Sequence, residues 1–302
     1  GVSVRLKLAQ KEALVFYLLI APWAIGILCF SLGPILASFG MSFTEYDVLR
    51  PPSFVGLANY ARLFGDELFW QALKVTGSYT IMALPLGIVL SLFLATLLNM
   101  RVPGLAVYRT IFYLPSVISG VAVSLLWMWL LNPTFGLINY ALRSLFGIQG
   151  PRWLIAENTV VPAFVLMSLW GVGGGLVLYL AALQSVPTEL YEAASLDGAG
   201  SWRRFRNVTL PMISPVVLFS FVTGMIGSFQ AVTQAYVVSN GLGGPHYASL
   251  FYGLYLYQNA FRYFKMGYAA ALSWVLFLLV LGLTMLTFKG SAQYVYYAGE
   301  RR

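Results

Sequence analysis

Long apolar runs, each about the length that crosses a bilayer, constrain this chain more than any other feature. A span takes about 20 residues. Runs of that order occur at roughly 14–41, 72–99, 107–132, 158–184, 212–237 and 266–288. In hydrocarbon, backbone polar groups must bond within the segment, so such runs are expected to be helices. The reading is all-α: a polytopic membrane protein with six transmembrane helices. Across 302 residues, 59% are hydrophobic and only 9% charged, too few charges to cover a soluble domain of this length. Pro22, Pro34, Pro85, Pro115, Pro162 and Pro215 fall inside the runs and are expected to mark kinks.

The net charge of +8 does not point to nucleic acid, because the basic residues flank the apolar runs and form no continuous patch. They read as topology determinants. Arg5, Lys7, Lys11, Arg101, Arg109, Arg203, Arg204, Arg206, Lys289, Arg301 and Arg302 fall on one side. Arg50, Arg62, Lys74, Arg143, Arg152, Arg262 and Lys265 fall on the other, in longer segments. The bias places both termini in the cytosol. The first run is far longer than the apolar core of a cleavable signal, about 7–15 residues, and is expected to remain as a span. The outer segments 42–71, 133–157 and 238–265 are too short for separate domains. Residues 1–302 read as a single membrane domain.

Several chemistries find no support. Cys29 is the only cysteine and has no intrachain partner; His246 is the only histidine and has no ligand-spaced neighbours, so no metal site is expected. No Asp or Glu lies in the interior of a span, which argues against an ion-driven carrier. No Gly-Lys-Ser/Thr occurs, so the chain lacks a Walker A phosphate loop. The glycine run Trp170-Gly171-Val172-Gly173-Gly174-Gly175 lies within an apolar span, where close helix packing or a flexible point explains it. Neither a catalytic residue nor a cofactor is expected on this chain. Energy for uphill movement would come from another subunit.

The segment 186–211, VPTELYEAASLDGAGSWRRFRNVTLP, separates the fourth and fifth runs on the cytosolic side. It reads as two short helices broken by Gly198 and Gly200, with Thr188 and Ser201 as the expected N-caps. Ala193 and Ala194 permit close approach, and Tyr191 and Leu196 offer apolar contact. Glu192 can pair with a cation on a partner. Gly198 permits a turn that a Cβ would resist.

Glu192-Ala193-Ala194, three residues, Gly198, nine more, then Val208-Thr209-Leu210-Pro211 resembles the EAA loop of bacterial ABC-importer permeases, with Val208 where the family has Ile. Val55-Gly56-Leu57-Ala58-Asn59-Tyr60, Phe69-Trp70, Phe112-Tyr113-Leu114-Pro115, Pro133 with Gly136-Leu137-Ile138-Asn139, and Met266-Gly267-Tyr268-Ala269 resemble the carbohydrate-uptake (maltose/glycerol-phosphate-type) branch. The resemblance implies a type I importer permease subunit for a saccharide. Glu192, Ala193, Ala194, Asp197, Gly198, Leu210 and Pro211 would couple it to ATPases. It implies as partners a second permease, two ATPase subunits carrying ATP and Mg, an extracytoplasmic solute-binding protein and membrane lipid. The location implied is a prokaryote's cytoplasmic membrane.

Ser220, Thr223, Gly227, Gln230 and Gln234 recur at three- and four-residue intervals in the fifth run, one helical face. Such a face lines a substrate path or bonds subunits together. Gln230 and Gln234, with Trp170 and Phe229, are the candidate path residues. Trp127 and Trp129 read as interfacial anchors. In the outer segment, Gly243-Gly244-Pro245 precedes Ala248-Ser249, where the family often has a Ser-Thr pair. Rival readings are an importer permease for an amino acid or glycerol phosphate, and a multi-pass enzyme acting on lipid-linked sugars. Asp66-Glu67, the only adjacent acidic pair, has no nearby His to support the latter.

Overall fold

The structure is a computed structural model that describes residues 8–100 and 103–296. Arg5, Lys7, Arg101, Arg301 and Arg302 of the charge argument lie outside the described residues. The elements in chain order begin with α1 (Leu8–Ser42) and the paired two-residue strands β1 (Thr44–Glu45) and β2 (Ser53–Phe54). Then come α2 (Ala58–Phe64), α3 (Glu67–Leu98), α4 (Leu105–Val117), α5 (Gly120–Leu130) and α6 (Leu137–Phe146). They are followed by α7 (Glu157–Trp170), α8 (Gly173–Gln184), α9 (Thr188–Leu196) and α10 (Ser201–Arg204). The last are α11 (Leu210–Phe229), α12 (Thr233–Ser239), α13 (Tyr252–Tyr257) and α14 (Met266–Ser291).

Four stretches are long and apolar enough to cross a membrane: Leu8–Ser42, Glu67–Leu98, Ser201–Ser239 and Met266–Ser291. Two more form only as bent pairs. Leu105–Val117 and Gly120–Leu130 meet at 99°, and Glu157–Trp170 and Gly173–Gln184 at 51°. The third and fourth expected spans are therefore broken. At the first break Ile118 and Ser119 are extended, three residues past Pro115. At the second, Gly171 and Val172 separate the helices, so the glycine run is a bend within the apolar segment.

Prolines also account for two widened turns. Residues Leu28–Leu32 and Phe205–Thr209 are π-helical, and each lies just before a proline, Pro34 or Pro211. A proline ring clashes with the carbonyl four residues back, and a widened turn relieves that clash.

The described residues fall into two compact units, within the bounds Gly1–Leu63 with Asn259–Trp274 and Phe64–Gln258 with Val275–Arg302. In the first, Asn59 is the clamp. Its Nδ2 donates to the Ser42 and Thr44 carbonyls, each at 2.9 Å, and the Tyr60 hydroxyl donates to Ser42 Oγ at 2.8 Å. Gly267 lies so close to β1 that a Cβ there would sit 1.9 Å from the Thr44 carbonyl oxygen. These are the roles of the Leu-Ala-Asn-Tyr and Met-Gly-Tyr-Ala motifs.

In the second unit α3 packs against α7, α8 and α11. Phe164, Met167, Leu176, Tyr179 and Ile213 are all nearly fully buried there. Where the chain passes α4, a Cβ on Gly173 would lie 2.0 Å from the Phe112 carbonyl oxygen, so only glycine allows this approach.

Candidate functional site

The segment 186–211 folds as the two-helix device its glycines predict. α9 ends in a complete Schellman motif. Gly198 has φ +70°, its N–H donates to the Ser195 carbonyl at 3.1 Å, and Ala199 N–H donates to the Ala194 carbonyl at 2.9 Å. The N-caps differ from expectation. Thr188 and Ser201 are the first helical residues, preceded by Pro187 and Gly200, and no side chain caps either helix. Pro187 has no N–H to leave orphaned, and its ring favours the φ of –58° found there.

α9 has two distinct faces. Glu192, Ala193, Leu196 and Asp197 point outward, and Leu196 is 91% exposed. Glu192 and Asp197 make no ion pair among the described residues, so both carboxylates are free to meet a partner's cation. Tyr191 and Ala194 face inward, which removes Tyr191 from the expected contact area. Its hydroxyl meets Thr209 Oγ1 at 2.9 Å, and its ring packs with Phe205, Val208 and Met212 on a cluster that includes Leu92, Tyr179, Leu183 and Ile213. Arg204 donates to Ser195 Oγ at 3.1 Å. Trp202, 73% exposed, stacks on Phe205. The outer surface of the device is thus acidic and apolar on α9, and basic and aromatic on α10. Leu210 and Pro211 begin α11 directly after the π-turn, so the device continues into a span without a loop.

The polar stripe of the fifth run divides. α11 ends at Phe229, with Gln230 as its C-cap, and Gln234 belongs to α12. Thr223, Gly227 and Gln230 share an exposed face, whereas Ser220 turns inward. Phe229 is buried, Gln234 is half-buried, and half-buried Trp170 meets Trp127 edge to face at 6.2 Å. Trp127 is therefore no surface anchor; Trp129 is exposed.

Sequence reasoning missed a cavity of about 230 Å³ between α3, α7, α8 and α11. The hydroxyls of Tyr79, Ser91, Ser168, Tyr179, Ser220 and Ser228 line it, and no charged residue does. Tyr179 Oη and Ser220 Oγ are buried beside one another, and neither bonds to any other described group. The four-residue interval Ser220-Gly224-Ser228 was the available signal, hidden by the stronger Gln pair beside it.

At the other end of this unit, the backbone of Asn240, Gly241, Gly243, Gly244, His246 and Tyr247 is left-handed. Ala248 and Ser249 are buried and not presented outward. His246 Nε2 lies 3.7 Å from Glu157 Oε1 at the surface. Among the described residues no group of three or more His, Cys, Asp or Glu can hold a metal.

Comparison with known proteins agrees with this geometry. Residues 83–290 match the family model described as binding-protein-dependent transport system inner membrane component. The chain is 42% identical over 294 residues to the probable ABC transporter permease protein YesP of Bacillus subtilis (strain 168), covering 96% of this chain and 94% of that one. It is 36% identical to the lactose transport system permease protein LacF of Rhizobium radiobacter, covering 92% and 94%. It is also 36% identical to the sn-glycerol-3-phosphate transport system permease protein UgpA of Yersinia enterocolitica, covering 90% and 92%. Among solved structures, a chain of a bacterial alginate ABC transporter in complex with alginate pentasaccharide-bound periplasmic protein superposes with a TM-score of 0.80. Identity there is 24%, over 94% of this chain and 96% of the other. The fold is that of a type I importer permease, and the chain belongs to the binding-protein-dependent transport system inner membrane components, the permeases of ABC transporters.

Proposed function

We propose that the chain is one transmembrane subunit of an ATP-driven importer for a saccharide, acting as a single permease domain in a prokaryotic cytoplasmic membrane with both termini in the cytosol. The observation that carries the proposal is the outward face of α9. Glu192, Ala193, Leu196 and Asp197 are exposed and unpaired on a device built directly onto α11. Small residues beside a free carboxylate suit a docking cleft on an ATPase subunit, and exposed Trp202 enlarges the contact. Two ATPase subunits bind ATP and Mg and carry out the hydrolysis. Gly198 sets the turn, and Leu210 and Pro211 pass the movement to the spans as a rigid body.

A second permease completes the pore. α1 supports this, because its Leu8–Ile27 stretch has no buried residue and displays Phe16, Leu19 and Trp23 to lipid or to a neighbour. The path runs along the exposed Thr223, Gly227 and Gln230 face of α11 and on to Gln234, whose amides suit sugar hydroxyls. Trp170 and Phe229 are the further path residues of this proposal. An extracytoplasmic binding protein delivers solute at the outer segments. The lactose permease among the relatives supports a saccharide; the glycerol phosphate permease supports a phosphorylated polyol as the second reading.

Uptake of labelled lactose and sn-glycerol 3-phosphate, in cells expressing the whole transporter, separates the two. The double substitution Glu192→Ala with Gly198→Pro is expected to abolish uptake while the chain still inserts. Unchanged uptake in that variant would overturn the role of the loop.

A further inference from the structure

We infer that Tyr191 and Thr209 form the strut that carries movement from the coupling helix into the membrane. The inference deepens the importer reading and rests on it. A push on α9 can reach α11 by two routes. The covalent route passes through Gly198 and Gly200, then through the π-turn Phe205–Thr209. The glycines make this route compliant, because glycine backbone is the least restricted of any residue. The second route bypasses them. The Tyr191 hydroxyl reaches Thr209 Oγ1 at 2.9 Å, eighteen residues along the chain, and Thr209 immediately precedes α11.

The surroundings favour a stiff contact. Thr209 is 5% exposed, and the Tyr191 ring is wedged on the cluster shared by α3, α8 and α11. A hydrogen bond sheltered from water holds its geometry better than an exposed one. One turn further along α9, Ser195 Oγ donates to the Tyr191 carbonyl at 2.6 Å and accepts from Arg204 at 3.1 Å. These bonds tie α9 to α10 as well. Tyr191 and Thr209 act through each other and the packed cluster beneath them; they are positioning residues.

The test compares Tyr191→Phe, Thr209→Val, the double variant and Thr209→Ser in the complete transporter, reconstituted in proteoliposomes. The readouts are solute moved per ATP hydrolysed and melting temperature. Losing one hydrogen bond corresponds to about a two- to tenfold change in an equilibrium. Each single variant is therefore expected to lower the solute-to-ATP ratio by about two- to tenfold. The double variant falls no further than the worse single, because both remove the same bond. Thr209→Ser keeps the wild-type ratio. Equal ratios in all four proteins, or a fall in melting temperature with the ratio unchanged, would overturn the strut. A wild-type assembly without ATP-dependent uptake would remove the importer reading, and the inference with it.

Discussion

Gly198 and Gly200 both break the helical pattern of this segment but differ in the structure, which makes Gly198→Ala a quantitative test. Gly198 has φ +70°, in the left-handed region, and nothing lies within 4 Å of a Cβ built there. The cost of alanine is therefore conformational, with no steric clash, about 1–2 kcal/mol. Gly200 has φ –66° and ψ 168° with open space around its Cβ position, so alanine there costs almost nothing. An undocked loop can relax out of the turn, whereas a docked one must keep it. The strain thus falls on docking. Gly198→Ala is expected to weaken ATPase association by about 5- to 30-fold, the ratio that 1–2 kcal/mol produces. Gly198→Asn should weaken it less, because asparagine tolerates this conformation better. Gly200→Ala should bind as wild type. The assay is a titration of detergent-solubilised permease pair with ATPase subunits. Equal affinities for Gly198→Ala and Gly200→Ala would refute the reasoning, as would Gly198→Asn weaker than Gly198→Ala.

Other outcomes follow from the same geometry. Gly173→Ala should abolish recovery of folded protein, because its Cβ would lie 2.0 Å from the Phe112 carbonyl oxygen. Gly174→Ala, with only Ser116 Cβ at 3.8 Å, should be recovered normally, as size-exclusion profiles will report. Tyr179→Phe removes a buried hydroxyl whose one described neighbour is the Ser220 hydroxyl, so stability should fall by no more than about 1 kcal/mol, the worth of one hydrogen bond; a larger loss in a melting experiment would contradict this. Leu196→Ser with Trp202→Ala should reduce ATPase co-purification at unchanged melting temperature, since both side chains are exposed.

The apolar runs made the spans legible because a bilayer demands uninterrupted apolar length; four runs hold single helices of that length, and the other two hold bent pairs. The breaks were not legible in the same way. Hydropathy reports which residues tolerate lipid, whereas a bend depends on backbone geometry. Pro115 and the Gly171–Gly175 run marked the neighbourhoods of two bends without fixing their angles, 99° and 51°. The two-helix form of segment 186–211 was legible through spacing, since Gly198 and Gly200 act locally. Its internal fastening was not, because Tyr191 meets Thr209 only after the chain has turned back on itself. The polar stripe divides between Gln230 and Gln234 for a related reason. Helical periodicity predicts a face only while the helix lasts, and α11 ends at Phe229. Ser220 shows a further limit: its side chain leaves the exposed face for a cavity whose other walls come from distant segments.

Disulfide trapping from the coupling helix to the ATPase tests the central claim most directly. With Cys29→Ser as background, a cysteine placed by Ala193→Cys on the outward face of α9 should crosslink to an ATPase subunit in membranes of the working transporter. A cysteine placed by Tyr46→Cys, in the segment 42–71 that the charge bias assigns to the outside, should not. A transporter that hydrolyses ATP and takes up solute, yet yields no crosslink from position 193 with cysteines scanned across the ATPase surface, would contradict the account.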